Sequence, residues 1–398
     1  MDIRAIAPDQ VAPWTHAVSS TFGMDPAADP TFEDRVRALL DLGRTFACFD
    51  RGQIVGTAAG FDMELTLPGG RAPMSGLTMV TVRPTHRRRG ILRALIDAHL
   101  EAARAHGDPV SGLWASEATI YGRFGYGVAA ESDALTISDA RDTLALGRTL
   151  DELTIIDTAT APAAVRPIYD RVARARPGMF ARGEAWWRHR RLHDRPDQRD
   201  GGTQRTYALA RRGDDVTGYM AFRQKLSKAE TGFTGAFTID ELVALDARAE
   251  ATLWSLAVNA DLYPRVSYWN APTDALAPWL VADRRRVTRR RVDTLWLRVG
   301  DVAATLAARS YGADGALVLG VEGEAWHLEV AGQARACARH DGPAELTLDR
   351  AALGSILLGA TSPALLARCD RAHGSAEIIA RAERMFASPV PAWCPEVF

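Results

Sequence analysis

Lysine is almost missing from this chain: of 48 basic residues only Lys225 and Lys228 are lysines and the other 46 are arginines. With the abundant alanine, this reads as coding bias rather than function. Cysteine is scarce too. Cys48, Cys337, Cys369 and Cys394 are scattered, with no CxxC pair and no histidine at ligand spacing, so neither a metal site nor a disulfide framework is expected and the thiols read as reduced. Charge of one sign is lacking. A net charge of −1 argues against a generic nucleic-acid or anionic-membrane binder. No uncharged apolar run approaches the roughly 18 residues that span a bilayer. The opening MDIRAIAPDQ has no charged flank before an apolar core, so no secretory leader is expected and the expected location is the cytoplasm.

What is present is a globular composition, 47% hydrophobic and 24% charged, over 398 residues. That length is long for one core and suggests about two or three domains. Residues 1–150 read as mixed α/β, with helical PDQVAPWTHAVSSTFG and TFEDRVRALLDLG, then strand-like TFACFD, QIVGTAAGFDMEL and GLTMVTVRP. Residues 151–290 repeat the mixture less clearly: helical PAAVRPIYDRVARA, a hairpin turning at GDD, and helical ATLWSLAVNADLYP. A boundary near 290 is marked by DRRRVTRRR at 283–291. At this net charge the run reads as a solvated interdomain surface rather than a nucleic-acid arm. Residues 291–398 open on strand-like VDTLWLRV and continue with strands GALVLGVEG, AWHLEVAG and AELTLD and helical DRAALGSILLG and SPALLARCDR. This third part carries no catalytic constellation of its own.

The chemistry gathers at HRRRGILRALIDAHLEAARAHG, residues 86–107. The strand TMVTV runs into Arg87, Arg88, Arg89 and Gly90, after which Ile91, Leu92, Leu95, Ile96, His99, Leu100 and Ala103 recur at helical spacing. The first amides of such a helix lack intrahelical partners and lie at the positive end of its dipole. Three arginines there oppose the dipole unless an anion is bound, and a pyrophosphate suits forked guanidinium donors and a glycine that lets backbone approach.

The Arg87 to Ile91 pattern resembles motif A of the GNAT acetyltransferases, and LWASEATIYGRFGYG at 113–127, with Tyr121, Gly125 and Tyr126, resembles their motif B. ASE followed by IYGRFGYG is similar to the Eis family of N-acetyltransferases. That resemblance implies an α/β (α+β) fold with tandem GNAT-type domains, 1–150 and 151–290, then a sterol carrier-like domain, 291–398, assembled as a homohexamer. It implies acetyl-CoA as co-substrate, and the cysteine pattern and net charge above add the expectation of no metal and no nucleic-acid partner. The implied contacts are Val80, Thr81 and Val82 for pantetheine, Arg87, Arg88, Arg89, Gly90, Ile91, Leu92 and Arg93 for the phosphates, and Ser116 and Glu117 near the thioester. Leu92 departs from the small residue usual at its place.

The same resemblance implies Tyr121 as general acid and the carboxylate of the last residue, Phe398, as general base. A phenol near pKa ~10 stays protonated and can donate to a thiolate, while a terminal carboxylate near ~3.5 is a weak base. Read alone, Tyr121 is equally a packed aromatic and a chain terminus is usually frayed. The tail SPVPAWCPEVF is, however, proline-stiffened and aromatic. A small cationic amine, aminoglycosides included, would want acids and aromatic faces: Trp14, Asp25, Phe32, Trp187 and Glu396 are candidates, with Asp29, Glu33, Asp62, Glu64 and Trp186 beside them. The alternatives are an endogenous amine, peptide or protein lysine as acceptor, and, in another class, a lipid binder using the third domain.

Overall fold

The computed structural model describes residues 1–139, 150–230 and 232–398, and the boundary expected at 150 abuts 140–149, which lie outside the described residues. The chain divides into two compact units. The first comprises Met1–Ala130, Thr294–Ala392 and Glu396–Phe398; the second comprises Glu131–Asp293 and Trp393–Pro395.

The first unit holds a seven-stranded sheet built on β1 (Asp2–Ala5), β2 (Thr45–Asp50), β3 (Gln53–Leu67), β4 (Gly70–Val82) and β5 (Val110–Trp114), continued by Leu295–Val299 and closed by β6 (Gly127–Val128). Every neighbouring pair is antiparallel except β4 with β5. Residues 54–61 of β3 are buried without alternation, as expected of a strand covered on both faces. Helices α1 (Val11–Thr21) and α2 (Phe32–Leu39) precede β2, and α3 (Ile91–His106) crosses from β4 to β5. Helix α3 buries Ile91, Leu95, Ile96, His99 and Ala103 as one stripe and ends at Gly107, φ 88°. The same unit contains a five-stranded sheet in the order Ala334–His340, Glu324–Ala331, Gly315–Val321, Leu346–Leu348, Ala372–His373.

The second unit repeats the first sheet's plan: Glu152–Ile156, Thr206–Arg212, Asp215–Ala229 and Gly232–Ala244 run antiparallel, and Gly232–Ala244 pairs in parallel with Arg265–Pro272. Glu131–Ser138 and the edge strand Val287–Asp293 complete it. Its core is aromatic, with Tyr169, Trp187, Tyr219, Trp254 and Tyr268 all buried.

Two placements differ from the linear reading. VDTLWLRV is not one strand heading a third domain: Val287–Asp293 closes the second sheet, and Leu295–Val299 lies in the first. The break falls at buried Thr294, whose hydroxyl and amide both donate to the Ala130 carbonyl at 3.0 Å. Conversely, Glu131–Ser138, read within the first domain, belongs to the second sheet. The arginine run at 283–291 is mostly exposed, and Arg289 and Arg291 both pair with buried Asp133. Among the described residues no helix is long and apolar enough to cross a membrane.

Candidate active site

Strands β4 and β5 pair at three positions only, Met74 with Val110, Ser75 with Ser111 and Gly76 with Gly112. Beyond Gly76 the edge of β4 has no strand partner on that side among the described residues. A bulge reinforces the parting: the β3–β4 register shifts between Thr57/Thr81 and Ala59/Thr78, with Met79 at φ 51°. The Thr57 hydroxyl fixes the bulge, donating to the Met79 carbonyl at 2.8 Å and meeting Thr81 Oγ1 at 2.6 Å. An open strand edge of this kind can take an extended amide chain as an added strand.

At the far end of β4 the chain turns through Arg88, φ 63°, and Gly90, φ 79°, into α3. Gly90 is the N-cap and offers no side chain to the first amides of the helix. Those donors stay available to an anion. Together the open edge and the helix start line a cleft of about 740 Å³ that includes Val80, Thr81, Val82, Arg87, Arg88, Gly90, Ile91, Leu92, Arg93, Ser116, Glu117 and Tyr121. Arg89, expected with them, is exposed and lies outside the lining. Thr21, Phe22, His86, Ile120, Arg123 and Phe124 join the cleft without having been anticipated. The Arg93 and Arg123 guanidiniums stand 5.3 and 5.2 Å from the Phe124 ring, contacts that appear only in the folded chain.

Tyr121 closes α4 (Ala118–Tyr121) and is buried. Burial pushes its phenol above the ordinary value; a hydrogen bond with Ser116 works the other way, and the Glu117 charge adds to the rise. Its ring meets Tyr126 edge-on, centroids 6.2 Å apart.

The terminal residue is not frayed. Phe398 is 8% exposed, its ring is edge-on to Phe61 at 6.5 Å, and it covers Gly76 so closely that a Cβ there would be 3.1 Å from Cε2. The C-terminus therefore lies at the point where β4 and β5 part. Glu396 is buried in the same unit.

The remaining acceptor candidates are dispersed. Trp14 is fully buried, its indole N–H donating to the Phe46 carbonyl at 2.9 Å, so it is core rather than pocket. Trp187 packs in the second unit's core against Tyr169 and Arg182. Asp25 caps a single 3₁₀ turn through the Ala27 amide, and half-buried Phe32 lies 5.4 Å from the Arg35 guanidinium. Asp29, Glu33 and Glu64 are paired with Arg35, Arg37 and Arg71. Asp62 lies one residue on from Phe61, so strand alternation turns it to the opposite face, where it gathers with His106 and Asp108. Asp108 is already held there by the Arg44 guanidinium, an unfavourable neighbour for a cation.

The second unit has the same parallel pair without the same opportunity. There the helix that follows, Ala247–Val258, is N-capped by the Asp246 carboxylate, which accepts from the Ala249 amide at 2.9 Å. A carboxylate occupying the helix start excludes phosphate. The Leu242 amide, past the last parallel pair, is taken by the Tyr268 hydroxyl at 3.2 Å, and Trp393 packs beside Leu242 and Val243.

A splayed parallel pair leading into an uncapped, arginine-lined helix defines an acetyltransferase of the GNAT class. Residues 2–129 and 178–299 each match an acetyltransferase (GNAT) domain family, and 302–395 match a sterol carrier protein domain. Within that class the chain belongs to the Eis family. It is 34% identical over 352 residues to the N-acetyltransferase Eis of Mycobacterium tuberculosis, covering 85% of this chain and 84% of that one. It is also 34% identical, over the whole of both chains, to an uncharacterized N-acetyltransferase of Streptomyces coelicolor. The crystal structure of Eis1 from Mycobacterium abscessus matches with a TM-score of 0.85 at 30% identity over 100% of both chains. A GCN5-related N-acetyltransferase from Anabaena variabilis, 22% identical, shares the fold with the same TM-score. The protein is an N-acetyltransferase, and its GNAT domains imply acetyl-CoA as donor.

Proposed function

We propose that the chain acetylates primary amines of small polycationic molecules, aminoglycosides among them, by direct attack of the amine on the thioester. Tyr121 is the general acid and the Phe398 carboxylate the general base. The observation that carries this reading is one cleft lined by an uncapped helix start and a buried phenol, with a buried chain terminus packed on Gly76 where β4 and β5 part. Acetyl-CoA supplies the activated acyl group.

Residues 80–82 offer backbone to pantetheine, and Arg87, Arg88, Arg93 and the amides after Gly90 hold the phosphates. Tyr121 stays protonated at working pH because burial raises its pKa further. Handing that proton outright to a thiolate whose thiol sits near ~8.5 is uphill by at least ~1.5 units, about 2 kcal/mol. As general acid it therefore acts through a hydrogen bond along which the proton moves partway toward sulfur as the C–S bond breaks, and CoA passes its remaining charge to solvent protons after release. The Phe398 carboxylate, fixed by its packed ring, takes the proton from the attacking amine. The relatives that bear the Eis name support N-acetyl transfer as the reaction; an endogenous amine or a peptide lysine would use the same two groups.

A second class of function, lipid carriage, has one feature in its favour: an open groove of about 660 Å³ lined largely by alanines and Ile379 along Pro363–Arg368 and Ala376–Phe386. Release of free CoA across a panel of aminoglycosides separates the readings. Wild type turns over several of them, while Tyr121→Phe and a variant with one added C-terminal glycine lose turnover. Activity unchanged in both variants refutes the assigned acid and base. Sedimentation tests the accompanying proposal of a hexamer, and a monomer would overturn it.

A further inference from the structure

Helix α3 carries one polar residue on its buried stripe. His99 is 1% exposed, and burial, helped by the Arg44 charge, pushes its imidazole down to about 3, so it is neutral. Its ring lies against Gly60 of β3, where a Cβ would come within 3.2 Å of Nδ1. Its Nε2 is 3.0 Å from Ser111 Oγ. Ser111 Oγ donates to the Ser75 carbonyl at 3.1 Å and meets the Tyr126 hydroxyl at 2.8 Å.

A hydroxyl has one proton and two lone pairs. In the arrangement where Ser111 gives its proton to Ser75, its two lone pairs accept from Tyr126 O–H and from the Nε2–H tautomer of His99. Every position of that oxygen is used. The junction ties α3, β4 and β5 together at Ser75 and Ser111, one residue before the last β4–β5 pair. It also orients Tyr126, the ring against which Tyr121 packs.

We propose that His99 and Ser111 are positioning residues that set the opening between β4 and β5, and with it the strand edge that receives pantetheine. This rests on the reading of the cleft as the acetyl-CoA site. The phosphate grip at Gly90 lies about two and a half helical turns away on α3 and does not depend on the junction.

The test is calorimetric titration with two probes, acetyl-CoA and 3′-phospho-ADP, the latter carrying the pyrophosphate but no pantetheine. His99→Leu is expected to weaken acetyl-CoA binding about tenfold and to leave 3′-phospho-ADP within about twofold, because only preorganisation of the strand edge is lost. His99→Gln, whose amide N–H can reach the same oxygen, restores acetyl-CoA binding, and Ser111→Ala behaves like His99→Leu. Unchanged 3′-phospho-ADP binding certifies that the variants are folded. Equal loss for both probes, no loss for either, or failure of His99→Gln to rescue overturns the proposal. Wild-type protein binding neither probe overturns the cofactor reading itself, a result distinct from any of these.

Discussion

A single methyl group at Gly76 tests whether the chain terminus is placed for chemistry. In Gly76→Ala the new Cβ would stand 2.6 Å from Met63 Sδ and 3.1 Å from Phe398 Cε2. The thioether can swing aside cheaply, being the end of a flexible chain. The Phe398 ring has less room, because it already meets Phe61 edge-on. Overpacking of this kind costs about 1–3 kcal/mol, which lowers the melting temperature by a few degrees and leaves the chain folded. The ring must retreat by a few tenths of an ångström, and the carboxylate retreats with it. Misplacing a reacting group by about 1 Å costs on the order of 10²-fold, so a retreat of a few tenths of an ångström should lower kcat about 3- to 10-fold. The KM for acetyl-CoA should stay within about twofold, since the phosphate grip lies at the other end of β4. Phe398→Leu removes the ring atoms that clash, so the double variant should recover part of the loss, giving a coupling of about 1 kcal/mol in the cycle. Steady-state kinetics of the four proteins decides the matter. A folded Gly76→Ala enzyme with kcat within twofold of wild type, or strictly additive losses, refutes the role given to Phe398.

His99 makes stability pH-dependent. Its folded pKa is depressed to about 3 from an unfolded value near ~6.5, so protons favour the unfolded chain and the destabilisation grows as pH falls below about 6.5. By pH 4.5 it should reach roughly 2–3 kcal/mol, which urea midpoints of wild type and His99→Gln at pH 7 and 4.5 would reveal as a narrowing gap or a reversal; a constant difference refutes it. Arg88 holds φ 63°, a conformation costing a side-chain residue about 1–2 kcal/mol. Arg88→Gly should therefore unfold at a higher denaturant concentration while binding acetyl-CoA more weakly, with a shallower salt dependence. Arg309 is fully buried, donates to the carbonyls of Ile356, Leu357 and Phe386, and is pushed down to about 10 by that burial. Arg309→Met strands those acceptors and should cost about 3 kcal/mol or more, measured by denaturant unfolding.

Much of the site is legible in the residues because its grammar is local. A strand, a turn with Gly90, and a helix bearing arginines at its start occupy consecutive positions, so the anion-binding geometry follows from the chain's own stereochemistry. Tyr121 sits in an equally local strand-to-helix motif. Phe124 is not legible in the residues, because its aromatic character is unremarkable until Arg93 and Arg123 are brought near its ring. Trp14 and Trp187 were offered as stacking surfaces, yet each is core, since an aromatic residue's neighbours are contributed by distant segments. Asp62 was lost to strand alternation, a one-residue matter that only the register resolves.

Legible in the residues alone were the GNAT class, the start of the arginine-rich helix, and the phenol that lines the same cleft. Tertiary structure decided the rest. It exchanged Glu131–Ser138 and Leu295–Val299 between the sheets of the two units, since strand partners are chosen by long-range pairing that no window of residues encodes. It made one parallel pair usable and the other not, through Asp246, Tyr268 and Trp393. It brought residues 75, 99, 111 and 126 onto one oxygen and laid residue 398 on residue 76, contacts whose partners are tens to hundreds of positions apart and whose energies exist only once the chain is packed.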